Sequence, residues 1–369
     1  MAEPLKHVYN PAFLSQFAGI VKSAYPAFAS ERFVKDVLKD NWEALELKAR
    51  MRRITNVLGE HLPDRYEDAL DVLLAIAPQC SGFPYLFFPD FVEVYGMEER
   101  HWARSMLALE RFTQRSSAEF AVRPFLLRDP VRMMEQMLRW TEHPVDHVRR
   151  LASEGCRPRL PWGQSLPMFK RDPSPVLPVL EQLKADPSLY VRKSVANNLN
   201  DIAKDHPQLV LDTASRWKDS DPHTDWIIRH GCRTLIKGAF PGVLHLFGYA
   251  REGSLVAHAA LTASPVSLPI GGSCELTYEL HIREGEAAKL RIAYAVDFVK
   301  ASGRSSRKQF LLSDRVAQGG ALIRGVRTHH WRELTTRRHY PGLHRIVLLV
   351  NGIELAETAI ELQAALPNA

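Results

Sequence analysis

Apolar side chains recur three and four residues apart through roughly the first 250 positions, then at every second position beyond 254. The first period belongs to helices that bury one face and the second to strands that bury one side. Leu14, Phe17, Ile20 and Val21 form one helical stripe, and Phe33, Val34, Val37 and Leu38 form another. A third spans 45–58 with Lys48, Arg50, Arg52 and Arg53 interleaved, and a strongly apolar fourth spans 66–76. Gly82, Pro84 and the Phe88-Pro89 pair interrupt the pattern, and a further helix is expected over 98–112.

The segment 145–162, VDHVRRLASEGCRPRLPW, opens as a helix and stops abruptly. Val145, Val148, Leu151, Ala152 and Gly155 make its packing stripe, and Asp146, Arg150 and Glu154 fall roughly opposite. Pro158 and Pro161 end it, since proline lacks the N–H and clashes with the preceding turn. Trp162 follows the break, so a carboxylate, several arginines and an indole come close together away from the packing face.

This segment is one copy of a repeat. His143-Pro144-Val145-Asp146-His147-Val148-Arg149-Arg150 aligns with Asp186-Pro187-Ser188-Leu189-Tyr190-Val191-Arg192-Lys193, an offset of 187 − 144 = 43. A third copy starts at Asp221-Pro222 and runs into Trp226-Ile227-Ile228-Arg229 at 222 − 187 = 35. A proline turn followed by an apolar residue and arginine suits HEAT-like helix pairs, each burying its neighbour's apolar face. The opposite face carries Arg150 and Glu154, then Lys193, Asn197, Asp201 and Lys204, then Arg229 and Arg233, which predicts a mostly basic groove holding isolated carboxylates.

Beyond Gly253, Leu276, Tyr278, Leu280 and Ile282 alternate, and Asn351-Gly352 between two apolar runs is a hairpin signal suited to a type I′ turn. About seven short strands over some 115 residues suit an immunoglobulin-like β-sandwich. The expected architecture is mainly α: a HEAT-like repeat α-solenoid over 1–250, then the sandwich over 254–369. From Lys300 to Arg345 eleven Lys and Arg face only Asp314 and Glu333. Glycines at 303, 319, 320 and 325 mark the segment as loop-rich, and Arg304 and Arg307 are its first candidates for phosphate contact.

The net charge of +6 agrees with a polyanionic partner without establishing one. Cys80, Cys156, Cys232 and Cys274 have no metal-ligand spacing and are expected as reduced, buried thiols. His230 and the His329-His330 pair lack a third partner at metal spacing, so neither metal nor cofactor is expected. The first residues hold no apolar leader and no run of about 18 apolar residues occurs, so a cytoplasmic protein without a membrane span is expected.

The segment Glu154-Gly-Cys-Arg-Pro-Arg-Leu-Pro-Trp162, with Ser-Ala-Glu-Phe at 117–120 and Ile-Ile-Arg-His-Gly-Cys-Arg at 227–233, resembles the AlkC branch of the AlkC/AlkD DNA glycosylases. The added sandwich favours that branch. The resemblance implies excision of cationic alkylated bases, 3-methyladenine and 3-methylcytosine, from double-stranded DNA, without flipping the base into a deep pocket; a solenoid gripping DNA suits a monomer. It makes Glu154 the first candidate carboxylate to stabilise the sugar cation, with Glu119 second, 154 − 119 = 35 residues earlier and expected on a neighbouring facing helix. Asp201 is third, and Trp162 would face the base or sugar. Arg150, Arg157, Arg159, Lys193, Arg229 and Arg233 would hold phosphates.

Plainer readings stand beside these. Glu154 with Arg150 is an ordinary i,i+4 pair, Glu119 lies near Arg123, Trp162 suits a core-capping aromatic, and Asp201 lies three residues from Lys204. A DNA-structure binder without catalysis would use the same scaffold.

Overall fold

The computed structural model describes residues 4–249, 255–334 and 337–364. The chain divides into two compact units between Gly231 and Cys232. The expected junction at 250–254 falls on residues outside those described.

The first unit is built of paired helices. One row contains Leu47–His61, Phe87–Tyr95, Val122–Arg128, Asp146–Gly155, Leu189–Ile202 and Pro222–Gly231. Trp102–Thr113, Pro130–Trp140, Leu177–Gln182 and Pro207–Trp217 back this row. Start signals follow from side-chain chemistry. Asn10 caps Pro11–Ala24 by accepting from the Phe13 N–H at 2.9 Å, and Asp129 caps Pro130–Trp140 by accepting from the Arg132 N–H at 3.1 Å. Phe88-Pro89 does not interrupt the pattern as expected. Pro89 is the third residue of its helix, where an N–H would have no intrahelical partner.

The proline turns of two repeats share one hydrogen-bond frame. Arg149 Nη1 donates to the carbonyls of His143 (2.9 Å) and Pro144 (2.8 Å), and Arg192 Nη1 donates to those of Asp186 (2.9 Å) and Pro187 (2.8 Å). Arg149 also reaches into the next repeat, where Nε and Nη2 donate to the Asp186 carboxylate at 2.6 and 3.1 Å. At the other end of that helix, Gly155 allows close approach to Val122–Arg128. A Cβ there would lie 2.6 Å from Val122 Cγ2.

The second unit begins with the short helices Arg233–Lys237 and Val243–Leu246 and continues as a two-sheet sandwich. β1 (Val256–Ser264), β3 (Ser273–Ile282) and β6 (Leu322–His330) form one sheet in that order. The other runs β2 (Ser267–Pro269), β8 (Ile353–Gln363), β7 (Gly342–Val350), β4 (Ala288–Val299), β5 (Ser305–Ala317). Every pairing is antiparallel except β2 with β8. The three-residue β2 is the strand that an alternation pattern is too short to reveal. Asn351 and Gly352 both take positive φ (48° and 83°), as the expected β7–β8 turn requires.

The basic stretch 300–345 is not loop-rich. Arg307, Lys308 and Arg315 lie on β5, Arg324 and Arg327 on β6, and Arg345 on β7, while only 300–304, 318–321 and the connection before β7 leave the sheets. Strand β5 is the edge of its sheet, where charged side chains discourage pairing with another chain. Inside, Trp331 is fully buried against Phe298, His329, His339 and His344, with ring centroids 4.8–5.7 Å apart. Burial, then the nearby His339, pushes the His329 imidazole down to about 4, so it sits neutral beside the Tyr294 hydroxyl at 2.9 Å.

Candidate functional site

Three carboxylates and two arginines alternate along the helix row as Glu119–Arg150–Glu154–Arg157–Asp201. Arg150 Nη1 lies 2.5 Å from Glu119 Oε2, and its Nη2 lies 3.5 Å from Glu154 Oε1. Arg157 Nη1 donates to Glu154 Oε1 at 2.7 Å and its Nε to Asp201 Oδ2 at 2.9 Å. Glu154 is therefore more than the Arg150 partner that i,i+4 spacing suggests. Its second oxygen accepts from the Ser194 hydroxyl at 2.7 Å, and that hydroxyl accepts from Ser153 at 2.6 Å. Asp201 does reach Lys204, at 3.3 Å, but its shorter contact is to Arg157, while Asp205 takes Arg159 in a bidentate pair.

Exposure separates the three acids. Glu154 and Asp201 are buried, with both Glu154 oxygens already accepting. Glu119 is the least buried, its side chain 16% exposed against 7% for Glu154 and 3% for Asp201: Oε2 accepts from Ser117 Oγ at 2.9 Å and meets Arg150, whereas Oε1 accepts no hydrogen bond from the described residues. Glu119 does not lie on a facing helix as expected. It sits in the turn leading into Val122–Arg128, and its partner is Arg150 rather than Arg123.

The same contacts change the reading of the arginines. Arg150 and Arg157, expected to hold phosphates, are largely buried and bind carboxylates. Burial drives both guanidiniums down, but Glu119 and Glu154 for the first, and Glu154 and Asp201 for the second, outweigh it and raise them. Arg150 also lies over the Tyr190 ring, 4.9 Å from its centroid. Arg159 pairs with Asp205 at the surface, and Arg307 with Asp297 and Glu354. Lys193 and Arg304 are exposed, whereas Arg229 and Arg233 are partly buried.

Trp162 does not cap a core. It is 64% exposed and holds φ at 62°, a left-handed conformation that strains a residue with a Cβ. Arg123, which the pattern alone did not single out, fixes this turn from beneath. Fully buried, it donates through Nη1 to the Gly155 (2.9 Å) and Arg157 (3.0 Å) carbonyls and through Nε to that of Gln164. Burial pushes its guanidinium down to about 10, so it remains a cation at neutral pH. From above, Lys48 Nζ donates to the Trp162 carbonyl at 2.6 Å and lies 4.4 Å from the centroid of Phe120, the residue after Glu119. A cleft of about 260 Å³ lined by Lys48, Arg52, Glu93, Phe120 and Gln164 adjoins this turn.

These groups can place negative charge beside a developing cation and present an aromatic face next to it. Among the described residues no three His, Cys, Asp or Glu side chains converge to hold a metal ion, all four cysteines are buried and unpaired, and no helix is long and apolar enough to cross a membrane.

Residues 257–364 match the family model described as the C-terminal Ig-like domain of the uncharacterised protein YhaZ. Over 348 residues the chain is 48% identical to the uncharacterized protein YhaZ of Bacillus subtilis (strain 168), covering 94% of this chain and 96% of that protein. Among solved structures it is similar to the Pseudomonas fluorescens alkylpurine DNA glycosylase AlkC bound to DNA containing an abasic site analog. That likeness has a TM-score of 0.92 at 40% identity and covers 98% of this chain and 100% of the other.

Proposed function

The chain belongs to the AlkC branch of the AlkC/AlkD HEAT-like-repeat DNA glycosylases, and on that premise we propose that it hydrolyses the N-glycosidic bond of cationic alkylated bases in duplex DNA. The substrates of this reading are 3-methyladenine and 3-methylcytosine. Alkylation at ring nitrogen leaves the base positively charged. When the C1′–N bond breaks, its electron pair neutralises the base and the positive charge moves to the sugar. Water then adds to C1′ and gives up a proton.

The observation that carries the reading is the acid–arginine string with one open carboxylate oxygen at its accessible end. Glu119 Oε1 faces the sugar cation and receives the proton of the attacking water. Glu154 fixes Arg150, and Arg150 fixes Glu119. Asp201 holds Arg157 in the same way, so the two buried acids support the string instead of touching substrate. Glu119 ends the string with an oxygen that accepts no hydrogen bond from the described residues, which places negative charge where an oxocarbenium-like state needs it. Trp162 lies against the cationic base or the sugar, worth about 0.5–2 kcal/mol. Exposed Lys193 and Arg304, with Arg159, Arg229 and Arg233, contact phosphates. No lysine is needed as a nucleophile, and the enzyme is a monofunctional hydrolase that acts as a monomer in the cytoplasm.

The test is release of free 3-methyladenine and 3-methylcytosine from methylated duplex DNA by the purified protein. Release leaving intact abasic strands supports a monofunctional glycosylase. Salt-sensitive binding with no released base refutes catalysis and leaves a DNA-structure binder.

A further inference from the structure

Lys48 stands where helix energetics do not favour it. It is the second residue of Leu47–His61, in the first turn, where the helix dipole presents positive charge and that turn contains no acid. Its side chain is exposed, so burial does not hold it there. Its contacts explain the position. The ammonium donates to the Trp162 carbonyl at 2.6 Å, across 114 residues of chain, and rests 4.4 Å from the Phe120 ring centroid. One of those turns carries the exposed, left-handed Trp162 and the other carries Glu119 with its open oxygen.

We infer that Lys48 is a positioning residue that fixes the Trp162 turn against the Glu119 turn, holding the aromatic face and the open carboxylate in mutual register. The inference rests on the glycosylase reading above. Left-handed backbone at Trp162 persists only where its surroundings over-determine it. Arg123 supplies that restraint from the buried side at residues 155, 157 and 164, and Lys48 is the restraint on Trp162 itself. Although exposed, the ammonium is bonded to a carbonyl and rests against a ring, contacts that a lysine serving phosphates alone would not make. A lysine serving stability alone would contribute little from an exposed position.

The experiment compares wild type, Lys48→Met, Lys48→Arg, Trp162→Ala and the Lys48→Met/Trp162→Ala double variant. Single-turnover release of 3-methyladenine is measured together with duplex affinity at several salt concentrations and the melting temperature. Loss of register predicts a fall of about 10- to 100-fold in the release rate of Lys48→Met. Affinity, salt slope and melting temperature stay at wild-type values, and Lys48→Arg recovers most of the rate. In the Trp162→Ala background, removing Lys48 changes little further, because the two act as a unit. A wild-type rate in Lys48→Met overturns the inference while leaving the glycosylase reading intact. So does a loss confined to affinity with the salt slope lower by about 1, the mark of a phosphate contact. Full additivity with Trp162→Ala overturns it as well. Absence of release by the wild type overturns the glycosylase reading, and this inference with it.

Discussion

Two neighbouring repeat helices, Asp146–Gly155 and Leu189–Ile202, share a frame and differ in cargo. At the shared position, Arg149 and Arg192 donate to the two carbonyls of their own proline turns at the same distances, 2.9 and 2.8 Å. One residue further on, the first helix has Arg150 and the second Lys193. Five residues on, Glu154 aligns with Asn197, and eight on, Arg157 aligns with Asn200. The frame arginine therefore belongs to the architecture, and the proposed chemistry falls at three positions after it. Repeat alignment locates those positions, while the acids and arginines that fill them in one copy alone distinguish a site from a scaffold.

The largest way to break this comparison is to remove the frame. Arg149→Met leaves the Asp186 carboxylate, whose side chain is 4% exposed, without a cation and with the Ser188 N–H at 2.8 Å as its remaining donor, and should lower stability by about 3–5 kcal/mol. Arg192→Met, which loses only carbonyl contacts, should lower it by about 1–3 kcal/mol, and denaturant melts of the two variants give the ratio. An equal loss in both would mean that Arg149 does not link the repeats.

Gly155→Ala is next. Its Cβ would meet Val122 Cγ2 at 2.6 Å and Met137 Cε at 3.0 Å, so overpacking should take about 1–3 kcal/mol from the unfolding free energy. The second helix has Asn198 at this position, where its amide donates to the Ser153 carbonyl at 2.8 Å, so the larger residue is accommodated there and not here.

Smaller still is the surface pair just beyond the first helix. Arg159→Gln removes the contact to Asp205 between side chains 36% and 27% exposed, and thermal melts should show about 0.2–1 kcal/mol. A deficit of several kcal/mol would make that pair part of the buried string.

The smallest effect is acid dependence. Asp146 accepts from the Ser188 hydroxyl at 2.7 Å, and that bond holds its carboxyl below the usual carboxylate range. A depressed carboxyl contributes stability above the unfolded value of about 3.9, and the contribution is lost as pH falls through the lower folded value. Asp146→Asn should therefore flatten the decline of the melting temperature between pH 5 and pH 3. The second helix has Leu189 at the same position and should give no such change on substitution.

How far the sequence discloses this site follows from the distances along the chain that its contacts span. The helix containing Arg150 and Glu154 and the Asn351-Gly352 turn depend on near neighbours, and both are legible from spacing. The role of Arg150 depends on Glu119, 150 − 119 = 31 residues away, and that of Arg157 on Asp201, 201 − 157 = 44 away. Without those partners in view, the family resemblance makes each a phosphate ligand. Arg123 looks like a surface cation until its burial against three carbonyls is seen, and Trp162 looks like a core aromatic until its exposure and positive φ are known. The 300–345 segment hides β5 and β6 because an edge strand coated with Lys and Arg has no clean alternation.

The most direct test of the central claim is single-turnover release of 3-methyladenine by wild type, Glu119→Gln and Glu154→Gln, with duplex affinity measured alongside. The account predicts loss of about 10²–10³-fold in rate for Glu119→Gln at unchanged affinity, as expected when a preorganised charge is removed from a cationic transition state. It also predicts a loss for Glu154→Gln, because Arg150 then loses the partner that holds Glu119 in place. Wild-type rates in both variants would contradict it and remove the acid–arginine string from the chemistry.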